Sequence, residues 1–219
     1  MRKIVCLANS WKFKERCIAG IDLELGQWVR PVCDTLYPED GRIPSSVRLI
    51  DRKEPALLDI LAVPLARTGR NFGFECENFS VLPGRWERIG QSQPADLLQY
   101  CGRFRHILHN TSKSVPPSYL QSLPAPQRRS LQLVYTENFS AVRDFKGTGW
   151  RGTFSTQRGG LTGVKITDPA LIKKLEAGHS PNRTCLLTIS LSMPFSSDGT
   201  LQNALCWKLI AGVVEFPLE

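Results

Sequence analysis

The feature that most constrains this chain is the recurrence of short apolar runs, each bounded by Gly, Pro, Asn, Asp or Ser. They read KIVCLA (3–8), RCIAGI (16–21), WVRPVC (28–33), ALLDILAV (56–63), FECENF (74–79), LQLVYT (131–136), TCLLTISLS (184–192) and WKLIAGVVEF (207–216). Runs this short, rich in β-branched and aromatic residues and separated by turn formers, are strands of small barrels or sandwiches. With 219 residues the chain has room for one large β domain or two small ones of roughly 100 residues each.

Helical signals are few. TDPALIKKLEAG (167–178) has Thr167 or Asp168 as N-cap, Pro169 at the first helical position, Leu171, Ile172 and Leu175 at helical spacing, and Gly178 as terminator; it predicts about three turns. PADLLQYCGRFRHILHN (94–110) puts Leu97, Leu98, Cys101, Phe104, Ile107 and Leu108 on one helical face, with Gly102 as a weak point inside it. The Ser- and Pro-rich segment 111–130 follows, with Pro116 and Pro117 adjacent, and is the natural boundary between domains. The expected division is residues 1–110 as a first barrel with its trailing helix, 111–130 as connector and 131–219 as a second barrel.

The two sides of that boundary are faintly alike. LLDILAVPL (57–65) can be laid on LLTISLSMPF (186–195) with one insertion, each half opens on an apolar strand, and GQWVRP (26–31) resembles GTGWRG (147–152). Duplication is favoured. In the second half the elements run strand, loop, strand, strand, helix, strand, strand, which is the order of an OB-fold, a five-stranded barrel with a helix after its third strand. The fold class expected is therefore mainly β, with two tandem OB-like small barrels and a few short helices.

Seven cysteines are scattered without a CxxC pair, several within strand runs, and read as reduced, buried, small hydrophobes with no structural disulfide. No stretch approaches the roughly 18 consecutive apolar residues of a membrane-spanning helix, and the first residues lack a signal-peptide core. A cytoplasmic protein with no membrane partner is the expectation. Neither GxSxG, HExxH nor a P-loop occurs, and His106 and His109 lack a second ligand pair. No enzyme activity, metal or cofactor is expected.

Basic residues outnumber acidic ones by 28 to 20, a formal charge of +8, and the excess is larger after residue 110 (12 against 7) than before it (16 against 13). Acidic partners are favoured. Two stretches combine cations with aromatics. In LANSWKFKERCIAG (7–20), Lys12, Lys14 and Arg16 surround Trp11 and Phe13 in a connection between two strands; cations there can meet phosphates while an aromatic ring stacks on a base. A solvated hairpin with Trp11 or Phe13 capping a barrel end is the plain alternative. In residues 142–165, Arg143, Lys146, Arg151, Arg158 and Lys165 share the segment with Trp150, Phe145, Phe154 and a single acid, Asp144. Its glycines suit close approach of a phosphate backbone, or tight hairpin turns. In GQWVRPV, Trp28 is expected to line the core and Arg30 to reach the surface.

Taken together, IVCLANSWKFKERCIAG, GQWVRPVCD, ENFSVLPGRWERIG, GLTGVKITDP and CWKLIAGVVEF resemble the dual OB-containing domain family over nearly the whole chain. The resemblance implies two OB folds in tandem and a nucleic-acid-binding module of prokaryotes, and it brings no catalytic residues. Function is expected to be binding of nucleic acid, single-stranded DNA or RNA ahead of duplex because stacking needs unpaired bases. The other expectation is a protein-interaction or regulatory scaffold.

Overall fold

A computed structural model describes residues 1–102, 104–196, 199 and 203–217. The first half contributes β1 (Arg2–Lys12), β2 (Glu15–Asp22), β3 (Trp28–Val32), α1 (Ser45–Arg48), β4 (Asp59–Val63), β5 (Asn78–Ser80) and β6 (Glu87–Gln91). Their sheet runs β5-β3-β2-β1-β4-β6, antiparallel throughout except that β3 and β5 are parallel. An isolated antiparallel bridge joins Leu65 and Val81 just beyond β4 and β5, but the strand ladder stays open and does not close into the expected barrel. Ile4, Cys6, Ile18, Val29, Leu61 and Trp86 fill the interior.

The second half contributes β7 (Ser114–Val115), α2 (Pro117–Ser122), β8 (Leu131–Thr136), β9 (Ser140–Arg143), β10 (Trp150–Thr156), β11 (Gly159–Ile166), α3 (Pro169–Glu176), β12 (Cys185–Leu191) and β13 (Cys206–Glu215). The order is β8-β12-β13-β11-β10-β9, with β7 also on β13. The hydrogen-bonded ladder does not close into a barrel. Its two edges, β8 and β9, are nevertheless successive segments of the chain, bent apart at residues 137–139, where Phe139 turns into the core at 2% exposure. Across the gap Thr136 Oγ1 donates to the Ser155 carbonyl at 2.7 Å.

The helix forms where its sequence predicts, but over eight residues, Pro169–Glu176, or about two turns where about three were expected. Asp168 Oδ1 accepts from the Ala170 and Leu171 amides, satisfying two of the donors that a helix start leaves open, and Oδ2 accepts from Val213 N at 3.0 Å, tying the helix to β13. The long helix expected over 94–110 does not form. Pro94–Tyr100 is a 3-10 helix, and a second short turn covers Ile107–His109. The 3-10 helix ends at Tyr100, two residues before Gly102, where a Cβ would lie 2.3 Å from the Phe104 ring and push that side chain aside. The segment 111–130 packs closely: β7 pairs with Cys206 and Trp207, and Val115 and Leu120 are buried in the second core.

Two further clusters join the halves. Val5, Leu7 and Ile21 meet Leu133, Leu186 and Val214, and Ala8 and Ala19 meet Leu131 and Ala211. Small residues let the backbones approach. A Cβ on Gly212 would stand 2.1 Å from the Leu7 carbonyl oxygen, which also accepts from Thr188 Oγ1 at 2.6 Å. LLDILAV and LLTISLS prove equivalent, since β4 and β12 each pair with the opening strand of their half. The Trp–Arg match is coincidental: Trp28 and Arg30 lie on the third strand of their half, whereas Trp150 and Arg151 lie on β10, which comes before β11.

Candidate nucleic-acid interface

The first basic-aromatic stretch is a hairpin, tighter than its composition suggests. β1 extends through Lys12, and the turn is Phe13 and Lys14 alone, both left-handed with φ of 45° and 66°. Two consecutive positive φ values make the turn that matches the twist of paired strands. Trp11 pairs with Arg16 and Lys12 with Glu15, so Arg16 shares a face with Trp11 and not with Lys12. Arg16 is 8% exposed, its guanidinium 3.7 Å from the centre of the Trp11 ring and 3.7 Å from Glu54 Oε1. Burial pulls its pKa down, with Glu54 opposing. It braces the hairpin and is withdrawn from the phosphate contacts. Lys12 Nζ donates to the Asp40 carbonyl at 2.6 Å, while Trp11, Phe13 and Lys14 remain exposed.

Arg30, expected at the surface, is 1% exposed. Its Nη1 lies 2.9 Å from Glu75 Oε1 and donates to Asn78 and to Ser130 Oγ, and its Nη2 reaches Ser190 Oγ. Ser130 in turn donates from both N and Oγ to Glu77. Burial disfavours the charge on Arg30, but Glu75 and Glu77 more than offset it and raise its pKa. Arg30 therefore bonds the two halves together. Trp28, as expected, packs half-buried against the clusters between them.

The second stretch builds an exposed surface. β10 pairs with β9 on one side and β11 on the other, placing Val142, Arg151 and Lys165 in one row across three strands. Val142 is 59% exposed and Lys165 is exposed, while Arg151 Nη1 donates to the Gly163 carbonyl at 3.1 Å. Gly163, with φ of +67°, sits in the bulge where β11 carries an extra residue opposite Thr153. At the end of this face, the turn after β9 carries Phe145, 90% exposed, with Lys146 Nζ 5.6 Å from its ring. Asp144, the one acid of the stretch, is engaged by the Thr148 and Gly149 backbone groups, which keep its carboxyl below the usual range.

Not every predicted residue joins this surface. Trp150 is half-buried against the second core, with the Arg143 guanidinium 4.9 Å from its ring, and Arg143 also pairs with Glu176 at 3.1 Å. Arg158 lies at the far turn between β10 and β11, away from the row. Conversely, residues that sequence reasoning missed extend the face. Lys165 pairs with Leu209 on β13, and Trp207, two residues earlier on the same strand face, is 39% exposed, with its indole N–H donating to the Phe195 carbonyl. CWKLI gave no signal for Trp207, because its burial runs against hydropathy, with Trp207 exposed between buried Cys206 and buried Lys208.

The two stretches meet through their backbones. Trp11 N donates to the Thr167 carbonyl at 3.1 Å, and Thr167 follows Lys165 by two residues.

A model of the dual OB-containing domain matches residues 2–213. The chain belongs to that family. Neither the curated proteins nor the solved structures hold a match to it. OB barrels bind ligands on the face of strands two and three, flanked by the loops after strands one and four. In this dual OB protein the face of the second half is that of β10 and β11, flanked by the Asp144–Gly149 turn and, ahead of β13, by Phe195 and Leu205, which form an antiparallel bridge. The corresponding face of the first half is that of β2 and β3, where Ala19, Ile21, Trp28 and Arg30 are covered by the second half. One face is open and the other is closed. No helix among the described residues is long and apolar enough to cross a membrane, and no cluster of His, Cys, Asp and Glu among them could hold a metal.

Proposed function

We propose that this dual OB protein binds single-stranded nucleic acid on the β9–β10–β11 face of its second half. The observation that carries this is the row of Arg151 and Lys165, cross-strand neighbours on an exposed surface, between the exposed rings of Phe145 and Trp207. Cations at strand spacing follow a phosphate backbone, and rings at the margins stack on unpaired bases, each contributing roughly 1–3 kcal/mol. Trp11 and Lys14 of the first hairpin extend the surface past Thr167. Seven free thiols fit a reducing cytoplasm.

Fluorescence anisotropy with labelled random-sequence DNA and RNA oligonucleotides, titrated at low and moderate salt, tests the proposal. Binding should weaken as salt rises and should fall about tenfold or more when Arg151 and Lys165 are both replaced by Ala. Binding that is indifferent to salt, or unchanged in that double variant, would remove the face from consideration.

A further inference from the structure

Away from the open face, a cavity of about 550 Å³ lies between the free edge of β8, the turn joining β10 to β11, and the chain at 98–102 and 104–111. Every residue from Gln132 to Asn138 lines one wall, and every residue from Ser155 to Leu161 lines the opposite one. The first wall is the edge of β8, and the second is the tip of the β10–β11 hairpin, where Ser155 pairs with Gly160 and Thr156 with Gly159. β8 pairs with β12 alone, and the Leu191 N to Ser130 O bond fixes which backbone groups point there. By alternation those of Leu133 and Tyr135 point into the slot.

The chemistry of the slot is one-sided. Arg105 and Arg158 stand in its lining, beside the His106 ring, with one acid, Glu137, which accepts from the Tyr135 hydroxyl at 3.0 Å. Leu98, Ile107 and Leu161 supply apolar surface. Behind the lining residue Asn110 sits Lys208, 2% exposed, its Nζ donating to the Asn110 carbonyl at 2.7 Å and to Oδ1 at 3.0 Å. No carboxylate pairs with Lys208 among the described residues. A buried cation held only by an amide is unfavourable until an anion comes near.

We infer that this slot is a second site, for a small organic anion that carries a flat ring and one phosphate or carboxylate group and has about the size of a nucleoside monophosphate. Its volume falls within the range of small-molecule sites. The gap between a strand edge and a hairpin tip suits a flat group, the apolar lining favours a ring, and the excess of arginines over acids favours one anionic group. This inference does not rest on the nucleic-acid face, which lies on other residues.

The test is an amide NMR titration of the full chain with adenosine 5′-monophosphate, adenosine, benzoate and inorganic phosphate in separate arms. The monophosphate should shift amides of Gln132–Asn138 and Ser155–Leu161, and adenosine and phosphate should each bind at least about tenfold more weakly. Leu98→Trp, at a position 40% exposed and so tolerant of bulk, should obstruct the slot and weaken binding by a similar factor. Arg105→Ala should weaken the monophosphate and benzoate but not adenosine. Replacing Arg151 and Lys165 by Ala should leave the titration unchanged, which separates this site from the open face. The inference is overturned if neither organic anion shifts these amides at millimolar concentration, if the shifts fall on β9–β11 and vanish with Arg151 and Lys165, if phosphate alone binds as tightly, or if well-folded Leu98→Trp binds like the parent.

Discussion

The β2–β3 face of the first half and the β10–β11 face of the second occupy the same place in their respective OB arrangements, yet one is buried and the other open. The difference lies in what each face carries. Ala19, Ile21 and Trp28 are small or apolar and meet Leu131, Leu133 and Ala211 across the halves, so burying them removes apolar surface from water. The one cation of that face, Arg30, is paired with Glu75, whereas Arg151 and Lys165 would bring unpaired charge into such a contact. Topology supplies two equivalent surfaces, and side-chain chemistry makes one an internal joint and leaves the other for a ligand.

The sharpest way to break this comparison is to attack the joint. Arg30→Ala leaves Glu75, itself 2% exposed, without the guanidinium that lies 2.9 Å away, and stability should fall by about 3–5 kcal/mol. Urea denaturation measures it. Oligonucleotide affinity of the folded fraction should not change, because Arg30 is on the closed face. A loss below about 1 kcal/mol, within the range of exposed pairs, would mean that the halves separate in solution and that both faces are open.

The next effect concerns Lys208, buried beside the second core. Burial lowers its pKa from 10.5 to about 8. Between those values the unfolded chain binds more protons than the folded one, so this group makes stability rise with pH through the window from about 8 to 10.5. The full rise is of order 3 kcal/mol. The raised pKa values of the buried Cys33 and half-buried Cys101 thiols, each about 11, act in the opposite direction, since their stabilisation is lost as pH climbs. The quantity to measure is therefore the stability difference between parent and Lys208→Met at each pH. It should shift in favour of the parent as pH rises; a flat difference would show that Lys208 is solvated.

A smaller effect sharpens the open side. On a single strand each neutralised phosphate contributes about 0.7 to the slope of log affinity against log salt, so losing Arg151 and Lys165 together should flatten the slope by about 1.4. Phe145→Ala should lower affinity with little change in slope, since stacking releases no counterions. Equal slopes for parent and double variant would mean that neither cation meets a phosphate.

The strand content, the helix at Asp168 and the family were legible in the sequence because each is local: alternation, capping residues and short motifs are set by neighbours in the chain. What escaped was set by contacts distant in sequence. Arg30 looked like a surface residue because nothing nearby in sequence announces Ser130 and Ser190, about a hundred or more positions away. Arg16 escaped because the turn is only two residues long, which changes its face by one step of alternation. Gly102 did give warning, since a glycine amid a helical pattern marks a weak point, and the 3-10 helix stops at Tyr100, two residues before it.

The smallest expected effect lies in the first hairpin, where the two stretches touch. Lys14 is exposed at the turn, and no ion pair holds it among the described residues, so Lys14→Ala should leave stability within about 0.5 kcal/mol. If a bound strand continues from Lys165 past Thr167 to the hairpin, the salt slope should still fall by about 0.7. Arg16→Ala is the contrast on the same hairpin. It removes the guanidinium from the Trp11 ring and from Glu54, so stability should drop while the slope stays as in the parent. Oligonucleotides of increasing length separate the outcomes: short ones confined to the β9–β11 face should be indifferent to Lys14→Ala, and longer ones should feel it. Indifference at every length would end the ligand's path at Lys165 and make the hairpin a brace between the two halves.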